Sequence, residues 1–195
     1  MKTLEKIENE VIDLLQTKPL KQITVQKVCH NLKISRTTFY VYFESIDSLV
    51  KNLSDDVLDD VTELFSQWQY LNFSQMLALV EDERAFHSTP IYRAYRYIWQ
   101  RKKLFKVLIG PYAPRYFSQA SYQLLVEMLT YLVEQNHKNS TTQLIYFCSG
   151  GIWSSLCHWV NYDTENVLPY EIAKRDLMLL SQLLLEEKNV VWSRG

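Results

Sequence analysis

Apolar residues recur at intervals of three and four along nearly the whole chain, the spacing of one helical face. Residues 2–17 place Leu4, Ile7, Val11, Leu14 and Leu15 on one side, and the pattern stops before Pro19. Thr24 reads as an N-cap for a short helix over 25–31 with Val25, Val28 and Cys29 inward, and Ser35 caps another over 36–42. A long helix is expected from Ser45 or Asp47 to about Tyr70, then others over 73–86, 91–108, 115–136, 141–161 and 169–188. Pro90 and Pro169 suit first helical turns. Gly110-Pro111-Tyr112-Ala113-Pro114 is the strongest loop signal. The pattern predicts about nine helices and no strand: an all-α fold.

Composition narrows this further. The 195 residues include only 4 Gly and 5 Pro. Hairpins and phosphate-cradling loops consume glycine, so a β-sandwich, a glycine-fingerprint dinucleotide fold and a P-loop enzyme are disfavoured. Net charge is −1, but residues 18–51 carry Lys18, Lys21, Lys27, Lys33, Arg36 and Lys51 against Glu44 and Asp47. Such a local patch can steer onto phosphate although the chain total cannot. Cys29, Cys148 and Cys157 have neither disulfide-framework nor zinc-ligand spacing. His30, His87, His137 and His158 have no neighbours at metal-ligand or triad spacing, so neither catalysis nor a metal or cofactor is expected. No apolar run approaches the roughly 18 residues of a membrane span, and the expected location is cytoplasmic.

The densest information lies between Ile23 and Phe43. Two short helices joined by a tight turn form a helix-turn-helix, whose second helix can enter the major groove. At 100° per residue, Phe39 and Phe43 share a core-facing side, leaving Arg36, Thr37, Thr38, Tyr40, Val41 and Tyr42 on the remaining arc. Arginine can bond guanine bidentately, and threonine or tyrosine hydroxyls can fix phosphates.

These residues resemble the DNA-binding domain of the TetR family of transcriptional regulators. The resemblance rests on Thr24…Val28-Cys29, on Ser35-Arg36-Thr37-Thr38-Phe39-Tyr40…Phe43, and on Ile46-Asp47-Ser48-Leu49. It implies base contacts from Arg36 and Thr37, with Gln26 reaching in from the preceding helix. Thr24, Thr38, Tyr40 and Tyr42 become backbone-contact candidates, with Ser35 as the cap and Val41 as an apolar contact to a thymine methyl. Lys33 stands where the family usually has Gly, and Ile46 replaces a common phosphate-binding Lys, for which Lys51, Lys33 or Lys27 would compensate. The implied organisation is a DNA-binding domain over 1–45, a connecting helix over 46–70 and a regulatory, dimerising domain over 71–195. The implied partner is a palindromic double-stranded DNA operator, bound by a homodimer, and the implied action is repression relieved by a small apolar or aromatic effector. Around Leu108-Ile109-Gly110-Pro111 and Gly150-Gly151-Ile152-Trp153…Trp159-Val160 the chain is also similar to a TetR C-terminal type of low-GC Gram-positive bacteria. Part of that type, the activators of dihydroxyacetone-kinase operons, answers to a protein partner instead of a small molecule.

Of the 26 aromatics, 21 lie between Phe65 and Tyr170. An effector cavity would draw on Trp68, Phe86, Tyr95, Trp99, Phe105, Phe117, Tyr122 and Phe147, although helical aromatic stripes also serve as plain core. Residues 93–106 hold six bases and no acid, and the long helix carries the acidic run Asp55, Asp56, Asp59, Asp60 and Glu63; the two helices pair, or present separate solvated faces, or 93–106 binds an anionic effector or acidic partner. Gly150, Gly151, Ser154, Trp159, Leu177, Leu180 and Leu184 are the candidate dimer interface, with packing inside one chain as the alternative. Two other readings stay open: a TetR-fold regulator controlled by a protein partner, and a helical interaction protein that binds no DNA.

Overall fold

The computed structural model describes residues 2–66, 73–135, 142–162 and 166–185. Among them are eleven α-helices, one 3₁₀ turn (Leu20–Gln22) and no strand. The helices are α1 (Thr3–Leu15), α2 (Val25–Leu32), α3 (Arg36–Tyr40), α4 (Ile46–Ser66), α5 (Phe73–Ala78), α6 (Glu83–Phe86), α7 (Pro90–Gln100), α8 (Lys102–Ile109), α9 (Arg115–Gln135), α10 (Thr142–Tyr162) and α11 (Pro169–Leu185).

Eleven exceeds the expected nine because two expected helices are each broken in two. Within 73–86 the chain turns after α5, and the Asp82 carboxylate accepts from the Ala85 amide at 3.1 Å, starting α6 afresh. Within 91–108 the break falls at Arg101, whose φ −113° and ψ 22° leave the helical region. Neither break contains Gly or Pro, so two successive amphipathic helices read as one.

The chain divides into two compact units. The first comprises residues 1–60 and 101–119, the second 61–100 and 120–195. The expected first domain ended at residue 45; the first unit also takes in most of α4, all of α8 and the start of α9. Its core gathers Ile7, Val11, Ile12 and Leu15 from α1 with Val28, Phe39, Phe43, Leu49 and Val50, and Val107 of α8 completes it. Leu4, expected inside, is exposed, and Ile12 takes the inward position. Gln16 donates its side-chain amide to the Lys103 carbonyl at 2.9 Å, and Lys103 pairs with Asp13, so α8 is fastened to α1. The buried Ser54 hydroxyl donates to the Val50 carbonyl (2.8 Å) and accepts from the Tyr116 hydroxyl (3.0 Å).

In the second unit α11 packs on α7, with α10 and α5 alongside. Ile172, Ala173, Leu177, Leu180 and Leu184 face this core from α11, and Ile91, Ala94, Tyr95 and Ile98 face it from α7. Burying a side chain of this size contributes on the order of 1.5–3 kcal/mol, enough to fix which arc of α11 turns inward.

Candidate nucleic-acid interface and regulatory core

Local chemistry sets the helix-turn-helix. The Thr24 hydroxyl accepts from the Lys27 amide at 3.2 Å and opens α2. At its other end Ile34 N–H bonds the Cys29 carbonyl (3.0 Å) and Lys33 N–H the His30 carbonyl (3.3 Å), a Schellman closure. That closure requires a left-handed residue, and Lys33 occupies it with φ 56° and ψ 41°. The position that the resemblance marked for Gly therefore does adopt the conformation Gly favours, and a lysine bears the strain. The Ser35 hydroxyl then accepts from the Thr38 amide at 3.0 Å and opens α3.

Phe39, fully buried, and Phe43 hold the inner side of α3, their ring centroids 5.9 Å apart. Outside, Gln26, Lys27, Lys33, Arg36, Thr37, Tyr40, Val41 and Tyr42 are all exposed, Val41 most of all at 73%. Thr24 and Ser35 are exposed caps, and Thr38 is half-buried with its hydroxyl 2.8 Å from that of Ser35. α3 ends at Tyr40, short of the expected 42, so Val41 and Tyr42 stand on the turn that follows it. The Arg36 guanidinium donates to the Gln26 side-chain carbonyl at 3.1 Å, tying α3 to α2 on the outer face. Lys51 is exposed and bound to Asp55, whose carboxylate holds the ammonium pKa above its ordinary value. The first unit holds 13 Lys/Arg against 10 Asp/Glu, while the second holds 8 against 12. The positive balance sits with the helix-turn-helix, where phosphate would be met.

The split at Arg101 also divides the basic run. Arg101 lies 4.0 Å from Asp60 of α4, but Lys103 pairs with Asp13 of α1, so only part of the expected basic–acidic pairing forms. Both pairs are exposed and contribute little each.

The expected effector residues fall into separate groups. Phe105 and Phe117 belong to the first unit and meet edge-on at 6.5 Å. In the second unit, Phe86 is fully buried and meets Tyr92 and Tyr170 at 6.4 and 5.6 Å. Trp99 stacks on Trp159 at 5.7 Å, and Tyr95 lies 5.7 Å from the same indole. Tyr122 donates to the Tyr146 carbonyl at 3.3 Å, Phe147 is 68% exposed, and Trp68 lies outside the described residues.

A polar centre that the sequence reading missed lies beside the stacked indoles. Asp176 is 1% exposed; Tyr95 donates its hydroxyl to Oδ2 at 2.5 Å, and Ser155 lies 3.1 Å from each carboxylate oxygen. Burial pushes the Asp176 carboxyl above its ordinary range, partly opposed by these hydrogen bonds and by Arg175. Burial also raises the Tyr95 phenol, so it stays a donor at neutral pH. The available signal was register: Asp176 stands four residues after Ile172 and four before Leu180, on the inward stripe.

The candidate dimer residues also divide. Trp159, Leu177, Leu180 and Leu184 are buried in their own chain, which corrects their assignment to an interface. α11 is apolar over so wide an arc that the pattern alone could not say which part faces home. Its outward apolar residues are Met178, Leu179 and Leu183, at 42%, 50% and 41% exposure, beside an open groove of about 420 Å³. On α10, Gly151 and Ser154 are exposed and Gly150 is half-buried; a Cβ at either glycine would meet nothing within 4 Å.

Among the described residues no three His, Cys, Asp or Glu side chains are grouped to hold a metal, and no helix is long and apolar enough to cross a membrane. No sequence-family model matches the chain, and no curated protein matches it. Solved structures do. A Syntrophomonas wolfei protein assigned to the TetR family of transcriptional regulators matches at 14% identity and TM-score 0.65, over 98% of this chain and 97% of that one. The dihydroxyacetone kinase operon activator DhaS matches at 16% and 0.55, over 94% and 95%. The fatty acid degradation regulator FadR of Bacillus halodurans matches at 14% and 0.52, over 100% and 98%. The fold is that of these solved regulators, along essentially the whole chain.

Proposed function

We propose that this chain is a TetR-like, sequence-specific DNA-binding transcriptional regulator that acts in the cytoplasm as a homodimer. The observation that carries the reading is α3 with its flanking turns. A short capped helix is anchored by two buried phenylalanines and presents Arg36, Thr37, Tyr40, Val41 and Tyr42 to solvent, on the unit with the positive charge balance. Arg36, Thr37 and Gln26 are the base readers in this account. Thr24, Lys27, Lys33, Thr38, Tyr40, Tyr42 and Lys51 hold the phosphates, and Val41 meets a thymine methyl.

A palindromic operator requires two copies with recognition helices roughly 34–36 Å apart. The outward residues Phe147, Gly151 and Ser154 of α10, with Met178, Leu179 and Leu183 of α11, are the surface on which a second copy would pack; all six are exposed in the described chain. An apolar or aromatic effector held in the second unit would favour dimers whose recognition helices no longer match successive grooves, relieving repression. The chain passes between the units at residues 60–61, 100–101 and 119–120, so a rearrangement in the second has three covalent routes to the first.

One observation favours a second reading, control by a protein partner. The aromatics expected to line a cavity are occupied with one another: Trp99 stacks on Trp159, and Tyr95 is bonded to Asp176. A partner would need no cavity. A footprint on the DNA flanking the gene, repeated over a salt series, tests the main reading. Protection of an inverted repeat, weakening steeply with salt, is expected; uniform protection or none would sink it.

A further inference from the structure

Building on that DNA-binding reading, we infer that Gln26 is a positioning residue for Arg36, and that together they select a guanine next to a second keto base. Arg36 Nη2 lies 3.1 Å from Gln26 Oε1, and both side chains are exposed. Arginine has no acceptor, so it is the amide oxygen of Gln26 that must face it. This fixes the chemistry of both ends. Glutamine reads adenine by accepting from N6 and donating to N7, and that geometry would have to share the oxygen and turn it away from Arg36. What Gln26 keeps wholly free for a ligand is its NH₂, with two donors, while one of the two lone pairs of its oxygen is taken by Arg36. The guanidinium, held at one nitrogen, keeps four N–H groups of its five.

The outer tip of the pair therefore offers donors in the majority: the Gln26 NH₂ and four guanidinium N–H groups. It matches base edges made of acceptors: O6 and N7 of guanine, or O4 of thymine. It mismatches adenine N6 and cytosine N4, which are donors themselves. The two side chains come from successive helices and meet at their polar ends, so in a groove they would face neighbouring base edges. Arg36 opens α3 behind the Ser35 cap and Gln26 stands in the first turn of α2 behind Thr24, so both are carried by fixed backbone.

The test is selection of bound sequences from a randomised duplex library by the full chain and by three variants. Arg36→Ala locates the base pair that Arg36 reads. In wild type that position should be guanine, with guanine or thymine beside it. Gln26→Ala should remove the keto preference and also weaken the guanine preference by about fivefold or more. Gln26→Glu retains an acceptor for Arg36 without the NH₂ donors, so it should restore guanine but not the neighbouring keto base. Thermal melting of each variant confirms folding, which the exposed Gln26 does not support from within the core. Adenine as the neighbour, lost in Gln26→Ala while guanine is untouched, would show an independent reader and overturn the inference alone. No enriched motif in wild type would overturn the DNA-binding reading with it.

Discussion

Replacing Asp176 by Asn isolates the charge buried in the second unit. The carboxylate is 1% exposed and takes hydrogen bonds from Tyr95 at 2.5 Å and Ser155 at 3.1 Å. Each bond to a charged acceptor contributes about 1.5–3 kcal/mol, whereas burying the anion costs several kcal/mol even after relaxation. The raised carboxyl pKa says that burial prevails. Asparagine keeps an acceptor for Tyr95 and a donor for Ser155 without the charge. At pH 7 Asp176→Asn should thus lie within about 1 kcal/mol of wild type or be more stable, while Asp176→Leu, which strands both hydroxyls, should lose roughly 2–5 kcal/mol. The pH dependence has a definite sign. With the folded pKa above the ordinary aspartate value of 3.8, the folded state takes up its proton first as pH falls. Wild type therefore gains on Asp176→Asn between the folded pKa and about 3.8, and their difference is constant above that window. Urea denaturation of both proteins from pH 7 to 4, followed by tryptophan fluorescence, measures the difference. Wild type losing ground to the variant on acidification would refute the reasoning, as would Asp176→Asn costing as much as Asp176→Leu.

Three further outcomes follow from the helix-turn-helix. Lys33→Gly relieves a left-handed lysine at about 1–2 kcal/mol but adds backbone freedom to the unfolded chain, for a net gain of roughly 0.5–1 kcal/mol in thermal or urea unfolding; the same variant should bind all DNA sequences more weakly, since it loses a positive charge. Ser35→Ala removes the cap of α3 and should cost about 1 kcal/mol in urea denaturation. Phe39→Ala, at a fully buried ring, should cost about 3–5 kcal/mol by the same assay and take DNA binding with it.

The helix-turn-helix was legible because its signals are local. Thr24 and Ser35 cap within three residues of themselves, and Phe39 and Phe43 are one helical turn apart, so sequence spacing is spatial spacing. Even the strained turn at Lys33 was visible, as a lysine in a place suited to Gly. The second unit was harder to read because its contacts join residues far apart in sequence. Leu177 looks the same whether it meets its own α7 or another chain, and the run Lys174-Arg175-Asp176 reads as a solvated face although its last member is buried. The break at Arg101 left no mark because an amphipathic pattern continues across it.

The central claim is that α3 reads base sequence. Fluorescence anisotropy of wild type and Arg36→Ala, on the footprinted duplex and on a scrambled one over a salt series, tests it most directly. Losing Arg36 should cost about 1–3 kcal/mol on the footprinted duplex and much less on the scrambled one, so the ratio of the two affinities collapses. An equal loss on both duplexes would make Arg36 a phosphate contact and contradict the account.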